Sequence, residues 1–130
     1  MKYLLAAAVL TLAVFAASAQ TEKGTGGYRK IGAEQAKTMM DSGTPIIVDV
    51  RTPAEYEAGH VPGAILLPNE TVADKKPAVL NDTNATVLVY CRSGRRSAEA
   101  ARKLIKLGYT NVYDFGGIID WPYETVTGKE

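Results

Sequence analysis

The chain has 130 residues, enough for one domain that buries its own core without metal or disulfide staples. Its 15 Lys and Arg stand against 14 Asp and Glu, so there is no basic excess of the kind nucleic acid binding requires. A single Cys excludes an intramolecular disulfide.

The opening segment, MKYLLAAAVLTLAVFAASAQ, places Lys2 before an apolar run from Tyr3 to Ala17 and ends in the small-x-small triplet Ala17-Ser18-Ala19. That pattern reads as a secretory signal peptide over residues 1–19. The run falls short of the roughly 20 residues of a membrane-spanning helix and lacks a cationic far flank, which makes an uncleaved anchor the minor alternative. No Cys stands directly after the cleavage site, where Gln20 lies, which speaks against lipidation. Cleavage removes Lys2 and leaves a mature chain without net charge. The expectation is an exported protein, periplasmic in a bacterium or else secreted, with no stable membrane association after cleavage. Residues 20–27, QTEKGTGG, read as a flexible lead-in, and residues 28–130 as a single domain.

AEQAKTMMDSG then sets Ala33, Ala36 and Met40 on one helical face and ends at Gly43, where a left-handed cap is expected. PIIVDV is an apolar run without alternation, as is TVLVY before Cys91; strands buried on both faces of a parallel sheet read this way. Between them TPAEYEAG carries a helix start and stop: Thr52 as N-cap, Pro53 at the first position, Glu55 closing a capping box, Gly59 at the end. HVPGAILLPN turns at Pro62-Gly63 and supplies a third strand, Ala64 to Leu67. Residues 69–85 are polar, with a short helix flanked by loop near Pro77; the N-x-T triplets at Asn69, Asn81 and Asn84 read as chance in an Asn/Thr-rich stretch.

After Cys91 the strongest helical pattern runs from Ser97 to Leu107, its apolar side formed by Ala98, Ala101, Leu104, Ile105 and Gly108. Glu99 and Lys103 form an i,i+4 pair, and Lys103 and Lys106 suit the last turn. NVYDF gives a fourth strand and GGIIDWPYE a C-terminal turn or helix. Alternating strands and helices predict an α/β fold: a three-layer, doubly wound domain around a central, mostly parallel sheet.

A lone Cys ending an apolar run ordinarily just fills space. Arg92, Arg95 and Arg96 are poor company for a core residue, however, and suit a thiolate or an anionic ligand. Cys91 falls at the carboxyl end of a central strand, the edge at which open α/β sheets bind ligands. Gly94 allows the loop to curl so that its amides point inward, and the helix behind adds partial positive charge, both of which favour a thiolate. An unpaired Cys in an exported chain is a reactive-thiol candidate. His60 has no spaced Cys or carboxylate partners for a metal and reads as structural. Asp49 and Arg51 read as a structural pair or turn clamp, and Trp121 as core.

VDVRTPAEYEAGHVPGAILLPN and VYCRSGRRSAEAARKLIKLGYTNVYDFGGIIDW, in this order and spacing, resemble the rhodanese family in its single-domain exported form, over residues 28 to 124. The resemblance implies a sulfurtransferase in which Cys91 takes sulfane sulfur from thiosulfate or a similar anionic donor and passes it from a persulfide to a thiophilic acceptor such as cyanide, a thiol or a protein. It implies an active-site loop of Arg92, Ser93, Gly94, Arg95 and Arg96, with Asp49 and Ser97 in support, and neither cofactor nor metal. Arg92 and Arg95 would meet the donor while Arg96 points back into the domain. A monomer is the favoured state. Ile118 stands where many relatives carry a bulky aromatic, which bears on pocket shape and not on the chemistry.

Two rival readings belong to other classes. A related cysteine-loop phosphatase separates Cys and Arg by five residues, whereas four separate Cys91 from Arg96 and Ser97 occupies the place of that Arg. A non-catalytic rhodanese-like binding module generally lacks the Cys that is intact here.

Overall fold

The computed structural model describes residues 27–129. The expected signal peptide and residues 20–26 of the lead-in lie outside the described residues. Four strands, β1 (Ile46–Asp49), β2 (Ile65–Leu66), β3 (Val87–Cys91) and β4 (Val112–Gly117), form one sheet in the order β2-β1-β3-β4. All three pairings are parallel. Three helices, α1 (Ala33–Ser42), α2 (Pro53–Ala58) and α3 (Arg95–Lys106), join short 3-10 turns at Asn69–Thr71 and Ile118–Asp120.

Strand β3 is buried at every position, and its alternation serves two cores. Val87, Val89 and Cys91 face a cluster with Ala100, Ala101 and Leu104 of α3, whereas Leu88 and Tyr90 face Ala36 of α1, Tyr56 of α2, Phe115 and Trp121. A strand with helices over both faces needs apolar residues at successive positions, which is why VLVYC carries no polar alternation. The result is the expected three-layer α/β arrangement.

Helix α2 forms as read. The Thr52 hydroxyl accepts from the Glu55 N–H at 3.2 Å, the Glu55 carboxylate accepts from the Thr52 N–H at 3.3 Å, and Pro53 occupies the first turn. Four details differ. Gly43 is extended, at φ −152°, not left-handed; Ser42 Oγ returns to the Thr38 carbonyl at 2.7 Å and satisfies the helix end. The left-handed ending occurs on α3 instead, at Gly108, with the Tyr109 N–H donating to the Leu104 carbonyl at 3.1 Å.

The expected Glu99–Lys103 pair is also replaced. Asn69 Nδ2 donates to Glu99 at 2.8 Å and Lys103 donates to Asn69 at 3.0 Å, so both helix residues grip the turn that follows β2. The helical turn of this region lies at Asn69–Thr71, not near Pro77. Finally, Ser97 and Ala100, not Ala98, join Ala101 and Leu104 on the buried face of α3.

Leu104 is fully buried under the sheet, and Val79 is 59% exposed. Leu104→Ala should cost about 2–5 kcal/mol, with Val79→Ala within about 0.5 kcal/mol of wild type, both read from urea denaturation midpoints.

Candidate active site

Strand β3 delivers Cys91 to the carboxyl edge of the sheet. Residues 92–94 curl around its sulfur, and α3 begins at Arg95, two residues earlier than its apolar pattern predicts. Gly94 permits this by adopting φ +107°, a left-handed conformation that closes the curl and opens the helix at once. The Gly94 N–H donates to Cys91 Sγ at 3.0 Å, and Ser97 Oγ lies 3.5 Å from the sulfur while donating to the Gly94 carbonyl at 3.0 Å.

The curl also needs room on its outer side. A Cβ on Gly117 would stand 2.1 Å from the Arg92 carbonyl oxygen and 2.7 Å from Ser93 Cα, so the end of β4 and the loop touch backbone to backbone. Asp114 steers that end of β4 by accepting the Gly116 N–H at 2.9 Å. The Ile119 N–H donates to the Arg92 carbonyl at 3.3 Å, and Ile118 packs partly buried against the Phe115–Trp121 cluster.

Burial pushes the Cys91 thiol up, but its hydrogen bond with the Ser97 hydroxyl and those from the amides of Ser97, Gly94 and Ser93 outweigh it and hold the thiol below its ordinary value. The side chain shows no surface to water. Three surface cavities, one beside β2, one beside the end of α1 and one beside Trp121, do not reach the loop.

The three arginines part company. Arg92 and Arg95 are exposed, and Arg95 pairs with Glu99 at 3.3 Å. Arg96 turns back into the domain and meets Glu55 of α2 as a fork, Nη1 to Oε1 at 2.7 Å and Nη2 to Oε2 at 3.0 Å. In the sequence Glu55 shows only its capping role; nothing local marks it as the partner of a loop 41 positions away.

Asp49 meets Arg51 and Tyr90, not residues 92–96. Its carboxylate takes Arg51 Nη2 at 2.7 Å and the Tyr90 hydroxyl at 2.7 Å, and that hydroxyl also accepts the Val61 N–H at 3.0 Å. Burial, reinforced by Asp49, pushes the Tyr90 phenol up and keeps it a neutral donor on the sheet face opposite Cys91. Asp49 thus supports the strand end that carries Cys91. His60 is buried, stacked on Tyr56 at 3.7 Å, with Nδ1 donating to the Tyr56 carbonyl at 2.8 Å. Its contacts with Tyr56 and Val126 lie away from the loop. Among the described residues no group of three or more His, Cys, Asp or Glu is placed to hold a metal ion.

A thiol held by amides at the carboxyl edge of a parallel sheet, ahead of a helix N-terminus, defines an α/β protein of the cysteine-loop class. Residues 32–122 match the rhodanese-like domain, and the chain belongs to the rhodanese family. It is 41% identical over 81 residues to the thiosulfate sulfurtransferase PspE of Escherichia coli K12, covering 62% of this chain and 78% of that protein. It is 39% identical over 108 residues to the thiosulfate sulfurtransferase GlpE of Pseudomonas entomophila, covering 78% and 95%. A solved rhodanese with anions from E. coli superposes with a TM-score of 0.61 at 39% identity, covering 65% of this chain and 100% of that one.

The Arg96 fork, with the Thr52 cap, draws the Glu55 carboxyl down to about 2 from 4.5. A carboxyl lowered on folding adds stability above its unfolded value and loses it as pH falls toward the folded one. Stability should therefore decline between about pH 4.5 and 2, and Glu55→Gln should flatten that part of a thermal-melting profile against pH.

Proposed function

We propose that this protein is an exported sulfurtransferase that takes the outer sulfur of thiosulfate, or of a similar anionic donor, onto Cys91 and passes it to a thiophilic acceptor. The observation that carries this reading is the Gly94 N–H on Cys91 Sγ at 3.0 Å, inside a curl whose hydrogen bonds favour the thiolate despite burial. The relatives named as thiosulfate sulfurtransferases support the same reaction class.

In the first step the Cys91 thiolate attacks the outer sulfur of thiosulfate. A new sulfur–sulfur bond forms at Cys91, the donor's sulfur–sulfur bond breaks, and sulfite departs with the electron pair. The anionic terminal sulfur of the persulfide inherits the inward-facing amides and the partial positive charge at the start of α3. In the second step cyanide, a small thiolate or a protein thiolate attacks that terminal sulfur, and Cys91 leaves as thiolate. Electrons and charge balance without a cofactor or metal.

Arg92 and Arg95 are the cations exposed at the mouth, and they suit a dianionic donor. Arg96 is engaged by Glu55 and Ser97 stands where the phosphatase reading needs its arginine, which together argue against that reading. Export to the periplasm draws on the signal-peptide pattern of residues 1–19. The mature protein acts as a monomer in this reading. A second reading, a rhodanese-like module that binds a partner without turnover, draws on the complete burial of Cys91.

Intact mass after incubation with thiosulfate separates the two: the expected result is one added sulfur on the wild type and none on Cys91→Ser, with both proteins equally folded. No mass gain on the wild type, or turnover by Cys91→Ser, would overturn the mechanism.

Arg92→Ala should raise the KM for thiosulfate about fivefold, taking roughly 1 kcal/mol for an exposed charge-assisted contact. Arg95→Ala should do less, because Glu99 already offsets that cation. Added neutral salt should raise the wild-type KM in steady-state assays, since it screens exposed charges within about 10 Å at 0.1 M.

A further inference from the structure

The fold treats the three loop cations differently. Arg92 is exposed and has no carboxylate partner among the described residues, and Arg95 shares its charge with Glu99 on its own helix. Arg96 alone is drawn inward, with its side chain 23% exposed and that of Glu55 27% exposed. Asp49 and Arg51 are joined in a separate buried pair at 2.7 Å, with the neutral Tyr90 hydroxyl on Asp49. Arg96 stands between Gly94, whose N–H reaches the Cys91 sulfur at 3.0 Å, and Ser97, whose hydroxyl lies 3.5 Å from it, and its charge interacts with that sulfur, so the charge felt there depends on how completely Glu55 offsets Arg96.

Glu55 is well built for that task. Its Oε1 accepts from the Thr52 N–H at 3.3 Å and the Thr52 hydroxyl at 3.2 Å, so the first turn of α2 helps hold the carboxylate that meets Arg96. Both guanidinium contacts are short and in the plane-to-plane fork that suits arginine. The N-terminus of α2 is thereby fastened to the N-terminus of α3, the element that begins at the sulfur.

We propose that Glu55 is a positioning residue which, through Arg96, sets the electrostatic balance of Cys91 between attacking nucleophile and leaving group. The inference rests on Cys91 being the sulfur carrier. Such a carrier must both attack a donor and later depart from the persulfide. Nucleophilicity falls as a thiol grows more acidic, with a sensitivity of about 0.4–0.5, while departure becomes easier. A full charge at Arg96 would favour departure at the expense of attack, and no charge would do the reverse. The pair holds the sulfur between these limits.

The test is the pH titration of Cys91 by thiolate ultraviolet absorbance, with Cys91→Ser as the blank, in the mature wild type, Glu55→Gln, Arg96→Met and the double variant. Gln can keep the capping box and one contact to Arg96, so the fold is retained. The midpoint should fall by about half a pH unit or more in Glu55→Gln, rise in Arg96→Met, and return close to wild type when both are changed. Opposite shifts that cancel are not produced by loop disorder. Shifts of one sign, no shift, or a double variant that does not recover would overturn the proposal. If melting curves show Arg96→Met unfolded, Arg96→Lys takes its place: its midpoint should stay near wild type with Glu55 present and fall when Glu55→Gln is added, and any other pattern overturns the proposal. Sulfur loading measured on the same samples keeps the two conclusions apart. A wild type that never gains sulfur but shows the opposed shifts supports the charge pair and removes the sulfur-transfer reading, whereas a loaded wild type without them removes the charge pair alone.

Discussion

A backbone that aims several amides at one sulfur atom has to bend within a few residues, and the bend needs space that side chains would otherwise fill. In this protein the space comes from the end of β4. Gly117 lies so close to Arg92 and Ser93 that a single added carbon would overlap the loop, and Gly94, at φ +107°, passes against Gly116 from the other side. Asp114 holds the Gly116 N–H and so fixes the strand end on which the loop rests. The Cys91 cradle is therefore a joint product of two segments, and neither would hold its shape alone.

Charge follows the same geometry. A thiol taken out of water resists ionisation, and hydrogen bonds from Ser97 and the loop amides reverse that tendency. Around it the charged groups are largely matched: Arg51 with Asp49, Arg96 with Glu55, Arg95 with Glu99. Arg92 is left to face the solvent. This arrangement leaves the unbalanced positive charge at the surface of the loop, while the buried ions are paired within the protein. It also reconciles a buried reactive residue with the cost of burying charge, since each inward-facing ion has a hydrogen-bonded counterpart.

The elements surrounding the site act at longer range. Tyr90 ties the strand before Cys91 to Asp49 and to the turn at Val61, which locks β1, β3 and the segment after α2 together under the site. On the opposite face Asn69 is gripped by Glu99 and Lys103, which ties the loop after β2 to the second and last turns of α3. Both links use polar side chains in positions where local sequence patterns suggest only a strand residue or a loop. Membership of the rhodanese family accounts for the overall arrangement; these links account for why this chain holds it.

Much of this was legible before folding. Unbroken apolar runs announced strands covered on both faces because burial on two sides leaves no room for alternation, and Thr52, Pro53 and Glu55 announced α2 because capping is satisfied within four residues. Cys91 stood out because its neighbours are cations, a local fact. What the sequence by itself determined, then, is the order of elements, the layering and the position of the thiol at a strand's carboxyl end. The early start of α3, the extended Gly43, the replacement of the Glu99–Lys103 pair by Asn69, the Asp49–Tyr90 bond and the Arg96–Glu55 fork were decided only by tertiary structure. Each depends on residues brought together from distant parts of the chain, and periodicity and capping report only on neighbours within a turn or a pleat.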